Sequence, residues 1–538
     1  MKKLTVALVV LILCNIYLSS QISHSSLPIP VWKDTTQIVS EPSPFDAKIP
    51  LFLGNESRRY YGKGPIPEKL KILWKKYIGG GKTKVSGKVK EMYGTGWPGQ
   101  SVLVEEDGSL YLLLGSFDYN LRKVNAVTGK TIWKHKFNNI IKGTPTIYIN
   151  ENAKSDKERY IVLCGSRRGP LETDCADNNY RAISLKTGEE LWSFVVPLTN
   201  CYSRDAESNG LIINGLLYFP AENGVLYVID PNPENASFSS GIKQPKILSE
   251  NVLFNISDIN KHNKNIVVES SPSKLDDIIY ITAGSGHVYG IDINTNYKVW
   301  DFYVGSDLDG SPVVTKSGHL FVTVEKQYIS GKGGVYKLDP KKNSEDAVCW
   351  YFPTQDRKLA DWQGGVIGSV GINDDYNPAD DKPALAAIGA LDGHVYVVSQ
   401  DETNEEKCIG PDGYKKYSTP KLVWKEDIAG TISTPIFIDN YMVVGGYSGN
   451  IIIYKIDYEE ANDKIDDMSK CFANKSGKKW KINIRESGRI ALGGCIESTP
   501  IVWNKRIYIG DRSGYFYCIG EDLSEDLRAT TGKLGRHE

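Results

Sequence analysis

Net charge is almost absent from this chain. Its 538 residues carry 64 basic and 65 acidic side chains. No dense Lys/Arg cluster stands out, so the electrostatic footprint of a nucleic-acid binder is missing and no nucleic-acid partner is expected. Low-complexity tracts are also lacking, which removes the case for disorder, and 41% hydrophobic residues suffice for a large core. Only one long apolar run occurs, from Leu4 to Leu18, after Lys2 and Lys3 and before Ser19 and Ser20. It is short for a membrane span of about 20 residues and has the layout of an export signal. We therefore expect a signal over residues 1–25, cleaved near Ser20 or Ser25, and an exported, periplasmic or secretory location. Membrane association would arise only if the segment stayed as an anchor, and the bulky Leu11, Ile12 and Leu13 argue against lipidation at Cys14.

Cysteine is sparse beyond the signal: eight remain, too many to pair from sequence. Cys164 with Cys175 and Cys495 with Cys518 are the local pairs to consider. Free buried thiols are the alternative for Cys164 and Cys518, which sit within apolar alternation.

Self-similarity is abundant. The segments 108–133, 179–192 and 286–300 each run through alternating apolar residues and a polar turn built on Thr, then end at Trp. Such alternation marks half-buried antiparallel strands. Trp74, Trp133, Trp192, Trp300, Trp350, Trp424 and Trp480 recur at a period of about 50–60 residues, with one unit (215–231) lacking its Trp. We read them as structural, each packed against the next sheet and burying about 200 Å². The extra length before Trp424 is accounted for by the polar stretch Asp401 to Tyr417, read as a loop.

A small residue and Pro precede most units: Gly143-Thr144-Pro145, Ser270-Ser271-Pro272, Gly310-Ser311-Pro312, Ser433-Thr434-Pro435 and Ser498-Thr499-Pro500. Pro at the first position of a strand removes no essential ladder donor, so these mark innermost strands. Eight units result. The last lacks an outer Trp strand, whereas 71–77 is an outer Trp strand without a unit. Together they predict an all-β, eight-bladed β-propeller of four-stranded antiparallel blades, closed by the N-terminal strand pairing into the last blade. The expected organisation is a signal (1–25), a lead-in (26–69), the propeller (70–521) and a charged C-terminal tail (522–538) that we expect to be mobile.

The segment Ala126 to Trp133, AVTGKTIW, recurring as Leu185 to Trp192, LKTGEELW, resembles the tryptophan-docking motif of the PQQ-repeat (quinoprotein alcohol dehydrogenase-like) superfamily. The resemblance covers nearly the whole mature chain and implies one of two functions. One is a non-catalytic scaffold resembling the BamB-like branch, which binds a protein or another extracellular ligand at the propeller faces. The other is a dehydrogenase of alcohols or sugars that depends on pyrroloquinoline quinone (PQQ) and calcium. The scaffold reading is preferred because the chain has no adjacent cysteine pair, no Asn at the mouth positions and no CxxCH haem motif.

Ligands of propellers commonly sit at the channel mouth. Three positions before each strand-opening Pro, or its equivalent, stand Pro98, Lys142, Glu207, Glu269, Asp309, Val366, Ile432 and Glu497. Glu207, Glu269 and Asp309 on neighbouring blades would suit a calcium ion, which takes six to eight oxygens. Arg204, Asp205, Asp307, Glu497, Lys142, Trp97 and Trp362 complete the candidate mouth, with 203–208 its densest polar cluster. No catalytic residue is assigned and PQQ is not expected. The loops 167–178 and 401–417 are where partner specificity would lie.

Overall fold

The computed structural model describes residues 45–85, 87–97, 99–168, 179–239 and 241–521. The export signal, Cys14, Pro98, Cys175, most of loop 167–178 and the C-terminal tail lie outside them. No helix among the described residues is long and apolar enough to cross a membrane.

Eight small antiparallel sheets surround one axis. Blades 1 to 7 span 102–136, 146–194, 211–252, 273–303, 313–353, 371–427 and 436–491; blade 8 combines 501–520 with 71–77. The closure expected from sequence is present: Lys71–Tyr77 runs antiparallel to Tyr515–Gly520, with Trp74 opposite Cys518 and Lys75 opposite Tyr517. Four strands form the body of every blade, but three blades carry a fifth. Phe45–Ile49 pairs with blade 1, Gly62–Lys63 with blade 8 and Phe472–Ala473 with blade 7.

Each outer strand carries a β-bulge at the same rung. The residue just past it is Trp74, Trp133, Trp192, Trp300, Trp350 or Trp424 in six blades, Ser249 in blade 3 and Gly488 in blade 7. The bulge turns that side chain onto the following blade. There the indole N–H of Trp74, Trp133 and Trp192 donates to the carbonyls of Ala126, Leu185 and Pro231. The turn glycines receive the rings: a Cβ on Gly129 would stand 2.9 Å from Trp74, and one on Gly188 2.8 Å from Trp133. Trp480 is the exception to the expected set. It lies eight residues before Gly488 on an outward extension of blade 7, clasped by Lys382 3.7 Å from its ring centre, and its indole nitrogen has no partner. Spacing alone could not separate a Trp at the bulge from one farther along the same strand.

The Ser/Thr-Pro signal has a structural cause. The hydroxyl before each Pro accepts a backbone N–H from the preceding blade: Gln100 N to Thr144 Oγ1 (2.8 Å), Asn209 N to Ser271 Oγ (2.9 Å), Ser271 N to Ser311 Oγ (2.8 Å), Ser369 N to Thr434 Oγ1 (3.1 Å) and Thr434 N to Thr499 Oγ1 (3.4 Å). Thr499 N then reaches Gly99 O. This girdle links consecutive blades around the channel. Blades 1 and 3 replace the hydroxyl by the amides Gln100 and Asn209, and both grip the lead-in.

That lead-in is a plug rather than a tether. Residues 50–61 cross the channel, and their carbonyls cap inner-strand N–H groups: Pro50 on Ile147, Glu56 on Lys274, Ser57 on Val314 and Tyr61 on Val502. Edge donors that would otherwise face the channel unpaired are thus satisfied. Leu53 N and Phe52 N donate to Gln100 Oε1 and Asn209 Oδ1. Arg58, 0% exposed, donates to the carbonyls of Phe52, Pro272 and Asn209 and to Asn209 Oδ1.

Two further expectations are corrected. The polar stretch Asp401 to Tyr417 is the end of a long hairpin, His394–Ile409 with Lys416–Asp427, not a loop. It folds back on blade 5, where Tyr417 meets Tyr336 (5.6 Å between rings) and Gly331 N donates to Pro411 O. Its pairing depends on that docking, which residue propensity does not reveal. Cys495 and Cys518 do not pair, and the free buried thiols expected as the alternative for Cys164 and Cys518 are present. Cys518 packs within the apolar core beside Tyr508 and Phe516.

Candidate functional site

The residue two positions before each girdle position projects at the mouth. From blade 2 to blade 8 these are Lys142, Glu207, Glu269, Asp309, Ile367, Ile432 and Glu497, Pro98 of blade 1 lying outside the described residues; the girdle register puts Ile367 in the place expected for Val366, which belongs to the core. The mouth is therefore divided. Blades 6 and 7 give it an apolar wall where Ile367, Leu391 and Ile432 pack with Trp97, Leu359, Trp362 and Tyr447. Blades 3 to 5 give it carboxylates.

Trp97 bridges the halves. Its backbone takes φ = 61°, uncommon outside Gly. The ring lies 5.6 Å from Trp362 and under the Lys142 ammonium (4.1 Å), and its indole N–H donates to Glu269 Oε2. Beneath it lies a cavity of about 30 Å³, bounded by Phe52 of the plug and lined by Glu207, Glu269, Asp309 and Ser369 among others. The three acids picked from sequence thus share one cavity, but they do not form one ligand cluster. The carboxylates whose oxygens come within 4.8 Å of one another are two triads, Asp205–Glu207–Glu222 and Asp307–Asp309–Glu325. Glu222 and Glu325 went unnoticed in the sequence. Each follows the second strand of its blade, after Ala221 and Val324, so comparing second-strand ends across the repeats would have found them.

The two triads differ in compensation. In blade 3, Lys142 Nζ lies 2.5 Å from Glu207 Oε2, and Arg167 Nε lies 2.7 Å from Asp205 Oδ2. Among the described residues no Lys or Arg forms an ion pair with Asp307, Asp309 or Glu325. Of the remaining candidates, Glu497 is paired with Arg512 (2.7 Å) and accepts from Tyr447 (3.2 Å), and Arg204 is buried with its carbonyl accepting from Asn179.

Burial and crowding hold the acids toward the protonated form. Glu207 is pushed up to about 7, by burial first and by Glu269 and Asp205, against Lys142 and Arg167. Glu325 is pushed up to about 9 by burial, Asp307 and Glu269. Asp309 lies well above the carboxylate range through burial, then Asp307, Glu269 and Glu325. Burial draws the Lys142 ammonium down, but Glu207 and Glu269 outweigh it and the net shift is upward.

With this geometry the family can be placed. A sequence profile described as outer membrane protein assembly factor BamB matches residues 72–345, just over half of the chain. The chain belongs to the BamB family. The crystal structure of BamB from Moraxella catarrhalis is similar in fold at 14% identity, covering 84% of this chain and 100% of that one with a TM-score of 0.48. No curated protein matches the sequence. The cavity under Trp97 measures about 30 Å³, whereas ligand pockets start at about 300 Å³. The oxygen donors do suit a hard cation such as calcium in chemistry and spacing.

Proposed function

We propose that this BamB-family propeller is a non-catalytic binding or assembly scaffold that works outside the cytoplasm and presents its ring faces to a protein partner. The observation that carries the reading is the channel of the described residues, plugged by 50–61 and covered by Trp97, with a cavity of about 30 Å³ between Phe52 and Trp97. The family's description as an outer membrane assembly factor points the same way. Tyr202 (59% exposed) and Tyr328 (46%) stand beside the acidic half and give the mouth face apolar contact area. Export rests on the segment Lys2 to Ser25.

The test has two arms. A photo-crosslinking residue placed at Tyr202 or Tyr328, and in parallel at the hairpin tip near Tyr414, should capture one discrete protein from the envelope of the native cell. The purified protein, given PQQ and calcium, should lose the quinone on desalting. Stoichiometric PQQ retention with dye-linked alcohol oxidation would overturn the scaffold reading, and recovery of the unprocessed chain from the cytoplasm would overturn export.

A further inference from the structure

The seven carboxylates that blades 3 to 5 bring to the mouth are not evenly served. Lys142 and Arg167 stand against the blade-3 triad, so that half of the well already contains its cations. Among the described residues the three carboxylates on the blade-5 side form no ion pair with Lys or Arg, and Lys142 reaches Asp309 only through its longer-range field.

We propose that Asp307, Asp309 and Glu325 hold a single divalent cation of the calcium type, and that the cation belongs to this triad rather than to Glu207. The spacing suits it. Oxygens bound to one calcium lie about 2.4 Å from the ion and so at most about 4.8 Å apart, and the ligand oxygens of the triad meet that limit.

Crowded acids alone would not make a site, but unsatisfied oxygens stand beside these. Asp307 Oδ1 has no hydrogen-bond partner although Asp307 is only 7% exposed, and the same holds for the amide oxygen of Asn265, also 7% exposed. Both lie beside Gly284, next to a Val267 methyl. A Cβ on Gly284 would stand 2.9 Å from Asp307 Oδ1 and 3.2 Å from Asn265 Oδ1. The Ser369 hydroxyl, 1% exposed and without a partner, lines the same cavity as Asp309. A cation with oxygen-only preference would answer the free oxygens of Asp307 and Asn265, which lie close together at Gly284.

The test uses the full-length mature protein stripped with chelator and titrated with CaCl₂ by calorimetry. A second readout is Tb³⁺ luminescence excited through Trp97. We expect one saturable site and a weakening of about tenfold or more in Asp309→Asn and Glu325→Gln. Glu207→Gln should bind as the wild type does. A loss in Glu207→Gln with binding retained in the blade-5 variants would overturn the assignment, as would absence of saturable binding at about 1 mM calcium. Should a variant fail to fold by circular dichroism, the wild-type measurement still decides: Tb³⁺ bound without Trp-sensitised emission rejects the buried triad.

Discussion

Trp97 of blade 1 donates its indole hydrogen to Glu269 of blade 4, across the channel mouth. A side chain with strained backbone therefore covers the acidic well, with the Lys142 ammonium over its ring and Trp362 beside it. Replacing it by Phe keeps the apolar contacts but leaves the buried Glu269 without that donor. We expect Trp97→Phe to lose about 1–3 kcal/mol in denaturant unfolding. If Trp97→Phe is as stable as the wild type, the roof contributes nothing to the fold.

The well should make the fold weaker as pH rises. Glu207 at about 7 and Glu325 at about 9 lie above the ordinary carboxyl value of 4.5 that the unfolded chain retains. Between about pH 5 and about pH 9 the native state then binds more protons than the unfolded one, so the free energy of unfolding falls with increasing pH. Melting temperatures of chelator-treated protein should decline across that window. Glu325→Gln should flatten the upper part of the decline; an unchanged slope would show that Glu325 does not titrate there.

Tryptophans at the bulge and off it should differ in cost. Trp133 is seated on the Gly188 turn and bonded to Leu185 O, so Trp133→Ala should cost about 3–5 kcal/mol. Trp480 sits on the outer extension, and Trp480→Ala should cost about 1 kcal/mol. Equal losses in chemical denaturation would remove the distinction.

The plug depends on Arg58. Arg58→Ala would strand the carbonyls of Phe52, Pro272 and Asn209 in a water-poor channel, at a cost of about 3 kcal/mol or more. Limited proteolysis should then cut within residues 50–65 of the variant and spare the wild type. Resistance in both would mean that the segment is held by its backbone bonds alone.

The eightfold repeat, the closure of blade 8 by Trp74 and the choice of Lys142, Glu207, Glu269 and Asp309 as mouth residues were all legible in the sequence. They depend on period-two alternation, a recurring Trp and a fixed offset from a Pro, which are local signals copied from blade to blade. What tertiary structure alone decided has no such period. Phe52 and Arg58 bond to Asn209 more than 150 positions away, so nothing near them in the chain foretells a plug. Likewise Glu222 and Glu325 enter the well only because second strands end beside the entrances of first strands. The division of seven acids into a half with cations and a half without them is set by where Lys142 and Arg167 can reach. Sequence alternation determines which face of a strand is buried; only the closed ring determines which side chains meet at its axis.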